Sequence, residues 1–169
     1  MTWRHVTILS CLSGLVLLGG CAGQFSHGVY SEGAVRYRVG ELPGSWQRVA
    51  LRGNDLAFLS LDSPHSLAVN ATCQGHDDPP LDVLTRHLLM GFTERETVSQ
   101  QLITLDGREG LRSHVTAKLD GVPVEMVMLV MKKQGCVYDF TYLSPRGQLA
   151  ARLDAFEQLV AQFHTEKAS

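Results

Sequence analysis

The chain has 169 residues, 44% hydrophobic and 19% charged, the proportions of one globular domain with a sizeable core. Its formal net charge is −2 and its longest basic run is the pair Lys132-Lys133. The bulk attraction that nucleic-acid binding relies on is therefore missing, and nucleic acid is not expected as a partner.

The first twenty residues differ from the rest. Met1 to His5 carries Arg4 and no acid, and Val6 to Leu18 is apolar apart from Thr7, Ser10 and Ser13. This is the charged n-region and short h-region of an export signal, too short to span a bilayer. The run ends in Leu18-Gly19-Gly20-Cys21, which resembles the bacterial lipobox: an apolar residue, two small residues and a cysteine. The resemblance implies a lipoprotein, in which the Cys21 thiol takes a diacylglycerol, the signal is cut before it and the new N-terminus is acylated. Several acyl chains, at about 0.8 kcal/mol per buried CH₂, hold a protein on a bilayer without a spanning helix. The alternative for Cys21 is a chance cysteine behind an ordinary secretory signal. Ala22 follows where a retention signal would place Asp, so the expected address is the outer membrane facing the periplasm of a Gram-negative envelope.

With Cys11 removed in the signal and Cys21 acylated, Cys73 and Cys136 remain of the four cysteines. In an oxidising compartment they are expected to form a disulfide. Two unpaired core thiols are the alternative, and metal binding has no short-range CxxC spacing to support it.

Cleavage before Cys21 leaves 169 − 20 = 149 residues. Residues 21–33 read as a lipidated N-terminus and polar tether, and residues 34–169 as a single α+β domain. Val35 to Val39 suits a first strand, and Pro43-Gly44 a turn that delivers Trp46 to a sheet. Leu56 to Asp62 and Leu67 to Cys73 flank Ser63-Pro64-His65-Ser66 as the arms of a hairpin. Leu67, Val69, Ala71 and Cys73 alternate onto one face, which turns Cys73 inward. Leu81, Leu84, Leu88 and Phe92 fall at helical spacing, with Gly91 near the end of that helix.

From Thr97 to Leu143 the period changes to two, divided by Asp106-Gly107, Asp120-Gly121 and Gln134-Gly135. Such pairs favour the positive φ angles of two-residue hairpins, so the segment is expected to be a four-stranded antiparallel meander. Its third strand, Val122 to Met131, is apolar on nearly both sides and belongs at the centre. In the fourth, Cys136, Tyr138, Phe140 and Tyr142 share one face, expected to meet a helix. Leu149, Leu153, Phe156, Val160 and Phe163 form the stripe of a closing amphipathic helix over about Gly147 to His164.

Strands, helix, antiparallel meander and helix make an α+β domain whose helices cover the sheet. The segment Leu105-Asp106-Gly107 with its paired strands, the run Cys136 to Pro145 and the closing helix with Phe156-Glu157 and Gln162-Phe163 resemble the PsbP-like group, and Pro43-Gly44-Ser45-Trp46 resembles its early turn. That group includes thylakoid-lumen photosystem subunits and bacterial envelope lipoproteins. The resemblance implies an α/β/α sandwich around an antiparallel sheet, with a non-catalytic role in assembly or docking at a membrane.

A search for chemistry points the same way. The sequence holds no GxSxG elbow, HExxH, Walker loop or GxGxxG, so no enzyme activity or cofactor is expected. His76-Asp77-Asp78 is the densest set of ligand types; it reads as a solvated loop, with a weak divalent-cation site as the alternative. His87 on the edge of the helix stripe reads as a partly buried, hydrogen-bonded histidine. Met126, Met128 and Val130 share a strand face, and Met90 comes from the helix. They read either as core filling or as an adaptable apolar pocket for a lipid tail or a partner's hydrophobic segment. Two functions follow. The first is a membrane-anchored, non-catalytic subunit of an envelope protein complex; the second is a lipid-binding accessory of envelope transport.

Overall fold

Tight turns set the path of the chain. In four places a residue with φ near +50° precedes a glycine near +75°: His27-Gly28, Asp106-Gly107, Asp120-Gly121 and Gln134-Gly135. Both angles lie in the left-handed region that two-residue hairpins demand, and each pair reverses the chain between antiparallel strands. The computed structural model describes residues 23–73 and 78–166. Cys21, the export signal, and His76 and Asp77 lie outside the described residues.

The strands form two sheets. The larger has seven, in the order β4 (Trp46–Val49), β5 (Leu56–Ser60), β6 (Ser66–Thr72), β10 (Cys136–Pro145), β9 (Val122–Lys133), β8 (Arg108–Leu119) and β7 (Phe92–Leu105). The smaller joins β1 (Gln24–Ser26), β2 (Val29–Glu32), β3 (Val35–Arg38) and β11 (His164–Thr165). All pairings are antiparallel. Helix α1 (Leu81–Leu88) lies on one face of the large sheet, while α2 (Leu153–Ala161) and the small sheet cover the other. This is the α/β/α sandwich that the PsbP-like resemblance implies. Among the described residues no helix is long and apolar enough to cross a membrane.

The central position of β9 follows from its composition. Val124 and residues 126–131 are all buried, with even positions facing α1 and odd positions facing α2. The aromatic face of β10 meets α2 and the small sheet together. Tyr142 stacks 6.2 Å from Phe156, Phe140 lies 4.9 Å from Phe163, and Tyr138 lies 6.0 Å from Tyr37. Each buried aromatic or aliphatic side chain of this layer contributes about 1.5–3 kcal/mol.

Four expectations need correction. The stretch read as a tether forms β1 and β2 from residue 24 onward, held by the stack of Tyr30 on Tyr37 at 5.2 Å and by Phe25 against Phe58 at 6.1 Å. A polar sequence thus becomes ordered because two aromatic anchors find partners elsewhere. Phe92 does not end the first helix; it starts β7, which carries register shifts between Thr93 and Glu96 and between Thr97 and Ser99. These bulges, with a mostly exposed polar sequence, blunt a long free sheet edge. The closing segment is a short 3₁₀ turn at Leu149–Ala151, then α2, and Phe163 already leaves the helix toward β11. Met90 points into solvent at 72% exposure, so it does not join the other methionines.

Candidate functional site

Cys73 and Cys136 form the disulfide expected of them. Thr72 pairs with Val137 on the β6–β10 ladder, so the two cysteines stand at the next rung. The bridge closes the path through α1, β7, β8 and β9 and fixes the end of the ladder beside α1.

Next to that rung, α1 and the sheet leave a cleft of about 220 Å³. Its walls are Leu84 and Leu88 from the helix and Val130 and Val137 from the sheet; Thr72, His87 and Asp139 add polar groups. Of the methionine set singled out in the sequence, only Val130 reaches this space. Met126 and Met128, 1% and 0% exposed, are packed solid with Leu89 and Val115 beneath α1. The reason lies in the helix. Thr85 and Leu89 are buried against the sheet, the Thr85 hydroxyl satisfied by the Leu81 carbonyl, and that orientation of α1 leaves Leu84 and Leu88 on the cleft side. His87, expected to be partly buried, is exposed at the rim.

Asp139 is tied into a polar row across the sheet. Asn70 Nδ2 donates to Asp139 Oδ1 at 3.0 Å, while Asn70 Oδ1 accepts the Asp55 backbone N–H at 3.0 Å. Asp55 Oδ2 accepts from Tyr37 at 3.1 Å and from the Ala71 N–H at 2.9 Å. Burial pushes the Asp139 carboxyl up to about 6; the Asn70 bond opposes that rise and the Asp55 charge adds to it. Burial also raises Asp55, against the two hydrogen bonds that favour its ionised form. Burial and the nearby Asp55 raise Tyr37 well above the ordinary phenol range. Beyond Asp55 an open groove of about 570 Å³ runs along the β4–β5 turn, with Glu32, Arg48 and Arg52 on its walls.

Asp55, Asn70 and Asp139 were not singled out as site residues from sequence. The signal available was Asp139 itself, the one charged residue between Cys136 and Leu143 in a strand of aromatic and aliphatic neighbours.

The arrangement lacks the parts of a nucleophilic site. No hydrogen bond links His87 to Asp139 or Thr72, and among the described residues no three His, Cys, Asp or Glu are grouped to hold a metal. On the opposite face of the sheet, His114 Nε2 meets Glu125 Oε1 at 2.8 Å, and Glu125 Oε2 accepts the Gly147 N–H, an arrangement that fixes a loop.

Architecture and topology together define a PsbP-like fold. The cyanobacterial PsbP (CyanoP) of Synechocystis superposes with a TM-score of 0.57 over 92% of this chain and 99% of its own, at 17% identity. LpqN, described as involved in cell envelope biogenesis of Mycobacterium tuberculosis, superposes with a TM-score of 0.60 over 78% of this chain and 84% of its own, at 12% identity. A Pseudomonas aeruginosa protein of unknown function does so with a TM-score of 0.51 over 80% and 90%, at 14% identity. No protein-family model matches the chain, and no curated protein matches its sequence.

Proposed function

We propose that this protein is a non-catalytic interaction subunit of the cell envelope, anchored through lipid on Cys21 and docking a protein partner on the α1 side of its sheet. The size of the cleft beside α1 supports this reading. At about 220 Å³ the α1 cleft is smaller than the roughly 300–1,000 Å³ of sites that enclose a small molecule, and it suits a single projecting side chain. Packing of Met126 and Met128 fills the space a lipid tail would need, which argues against the carrier function. The lipobox supports the anchor, and the envelope role of the structurally similar LpqN is consistent with the address.

The test is extraction of the intact chain from membranes in mild detergent, followed by native electrophoresis and quantitative mass spectrometry. The expected result is a stoichiometric complex with an envelope protein, lost in Cys21→Ser. A chain that migrates alone and carries one equivalent of bound lipid would overturn the proposal in favour of a carrier.

A further inference from the structure

Asp139 is poorly served by its own chain. A carboxylate can accept about four hydrogen bonds, but among the described residues Asn70 Nδ2 is the one side-chain partner it has. The cations nearby in the fold are committed elsewhere. Lys132, on the same face of β9 as Val130, is held by Asp78 Oδ1 at 2.6 Å and by the Pro79 carbonyl at 3.0 Å. Arg86 of α1 pairs with Asp82 at 2.7 Å. Of the other titratable groups, Asp55 faces Asp139 across Asn70 as a like charge, and His87 stands at the rim without a bond to it.

An acid withdrawn from water with one amide partner is costly unless a cation reaches it. Here the approach is walled by Leu84, Leu88, Val130 and Val137. Four aliphatic walls leading to one carboxylate complement a long methylene stem with a cationic tip, the shape of lysine. An ammonium needs only one oxygen, and Oδ2 has no side-chain partner among the described residues, whereas a guanidinium fork would share Oδ1 with Asn70. The cleft volume matches one side chain, not a whole ligand.

From this we infer that the α1 cleft is a docking slot for a lysine side chain of the partner protein, its stem against the four aliphatic walls and its ammonium on Asp139. The inference rests on the interaction-subunit reading and names the chemistry of the partner's contact. Disulfide Cys73–Cys136 stands one rung from Thr72 and Val137, on the opposite face of the sheet.

The test uses the full chain in detergent micelles, with the methyl groups of leucine and valine labelled with ¹³C for NMR. Three probes are titrated: the peptide acetyl-Ala-Lys-Ala-amide, the same peptide with its lysine ε-acetylated, and vesicles of phosphatidylethanolamine against phosphatidylcholine. The expected result is saturable shifts of the Leu84, Leu88, Val130 and Val137 methyls with the lysine peptide. Affinity should fall at least about tenfold on acetylation of the lysine and again in Asp139→Asn, which keeps an acceptor for Asn70. Equal responses to the two peptides, or no response to either, would overturn the inference. Shifts with phosphatidylethanolamine vesicles alone would also overturn it and assign the slot to a lipid headgroup. A native envelope complex that survives in Asp139→Asn would remove the lysine slot while leaving the interaction role standing.

Discussion

Removing the disulfide through Cys73→Ala/Cys136→Ala tests how the sandwich is held together. The two positions are 63 apart, and the segment between them contains α1 and the long hairpins of β7, β8 and β9. Closing a loop of that length removes about 14 cal/mol/K from the unfolded chain, or about 4 kcal/mol at 25 °C. In a domain of this size that corresponds to a fall in melting temperature of about 8–16 °C. Urea unfolding of the purified full chain in mild detergent, followed by circular dichroism, reads the change directly. The slope m should also rise, because the unbridged chain exposes more surface on unfolding. A loss below about 1 kcal/mol with unchanged m would refute the reasoning and mean that the β6–β10 ladder alone fixes that end of the sheet.

Gly40 sits where the chain leaving β3 crosses α2, its N–H on the Leu159 carbonyl; an added Cβ would meet the Gln158 carbonyl oxygen at 2.1 Å. Gly40→Ala must therefore displace backbone, and a cost of about 1–3 kcal/mol is expected in chemical unfolding; a neutral result would contradict the packing of α2. Asp139 titrates near 6 when folded and near 4 when unfolded, so its protonated form stabilises the protein below about pH 4 and that contribution is lost as pH rises through 6, on the order of 2–3 kcal/mol. Asp139→Asn should accordingly be more stable than the parent at pH 8 and lose that advantage toward pH 4. A stability difference independent of pH would show that the carboxyl is not withdrawn from water. Met90→Glu should change stability by less than about 0.5 kcal/mol, whereas Met128→Asp should abolish the folded spectrum, since it places a charge in a fully buried site. Comparable behaviour of the two variants would contradict the assignment of one methionine to solvent and the other to the core.

The meander was legible because its cues are local. Each Asx-Gly or Gln-Gly pair takes the angles its residue types favour, and the apolar run in β9 can be satisfied only by cover on both faces. The β1–β2 hairpin was not legible, although His27-Gly28 turns in the same way as the others. Its residues are mostly polar; Tyr30 gains its value from Tyr37 across the next hairpin, and Phe25 from Phe58, 33 positions along the chain. The start of β7 was hidden for a related reason: Phe92 continues the helical spacing of Leu84 and Leu88, but Gly91, at φ +90°, ends the helix first. In the site, Met126, Met128 and Val130 read either as core filling or as pocket; the two methionines are core and Val130 lines the cleft, an outcome that depends on how α1 is rotated. That rotation turns Thr85 and Leu89 inward, and no periodicity distinguishes them from Leu84 and Leu88. The row from Asp55 through Asn70 to Asp139 joins β6 to β10 across a register that no local pattern encodes.

Intact-mass spectrometry of the protein purified from its native membrane tests the envelope account most directly. The account predicts a chain that begins at Cys21 and carries a thioether-linked diacylglycerol with a further N-terminal acyl group. A polypeptide that begins at Met1 with unmodified cysteine at position 21 would contradict it.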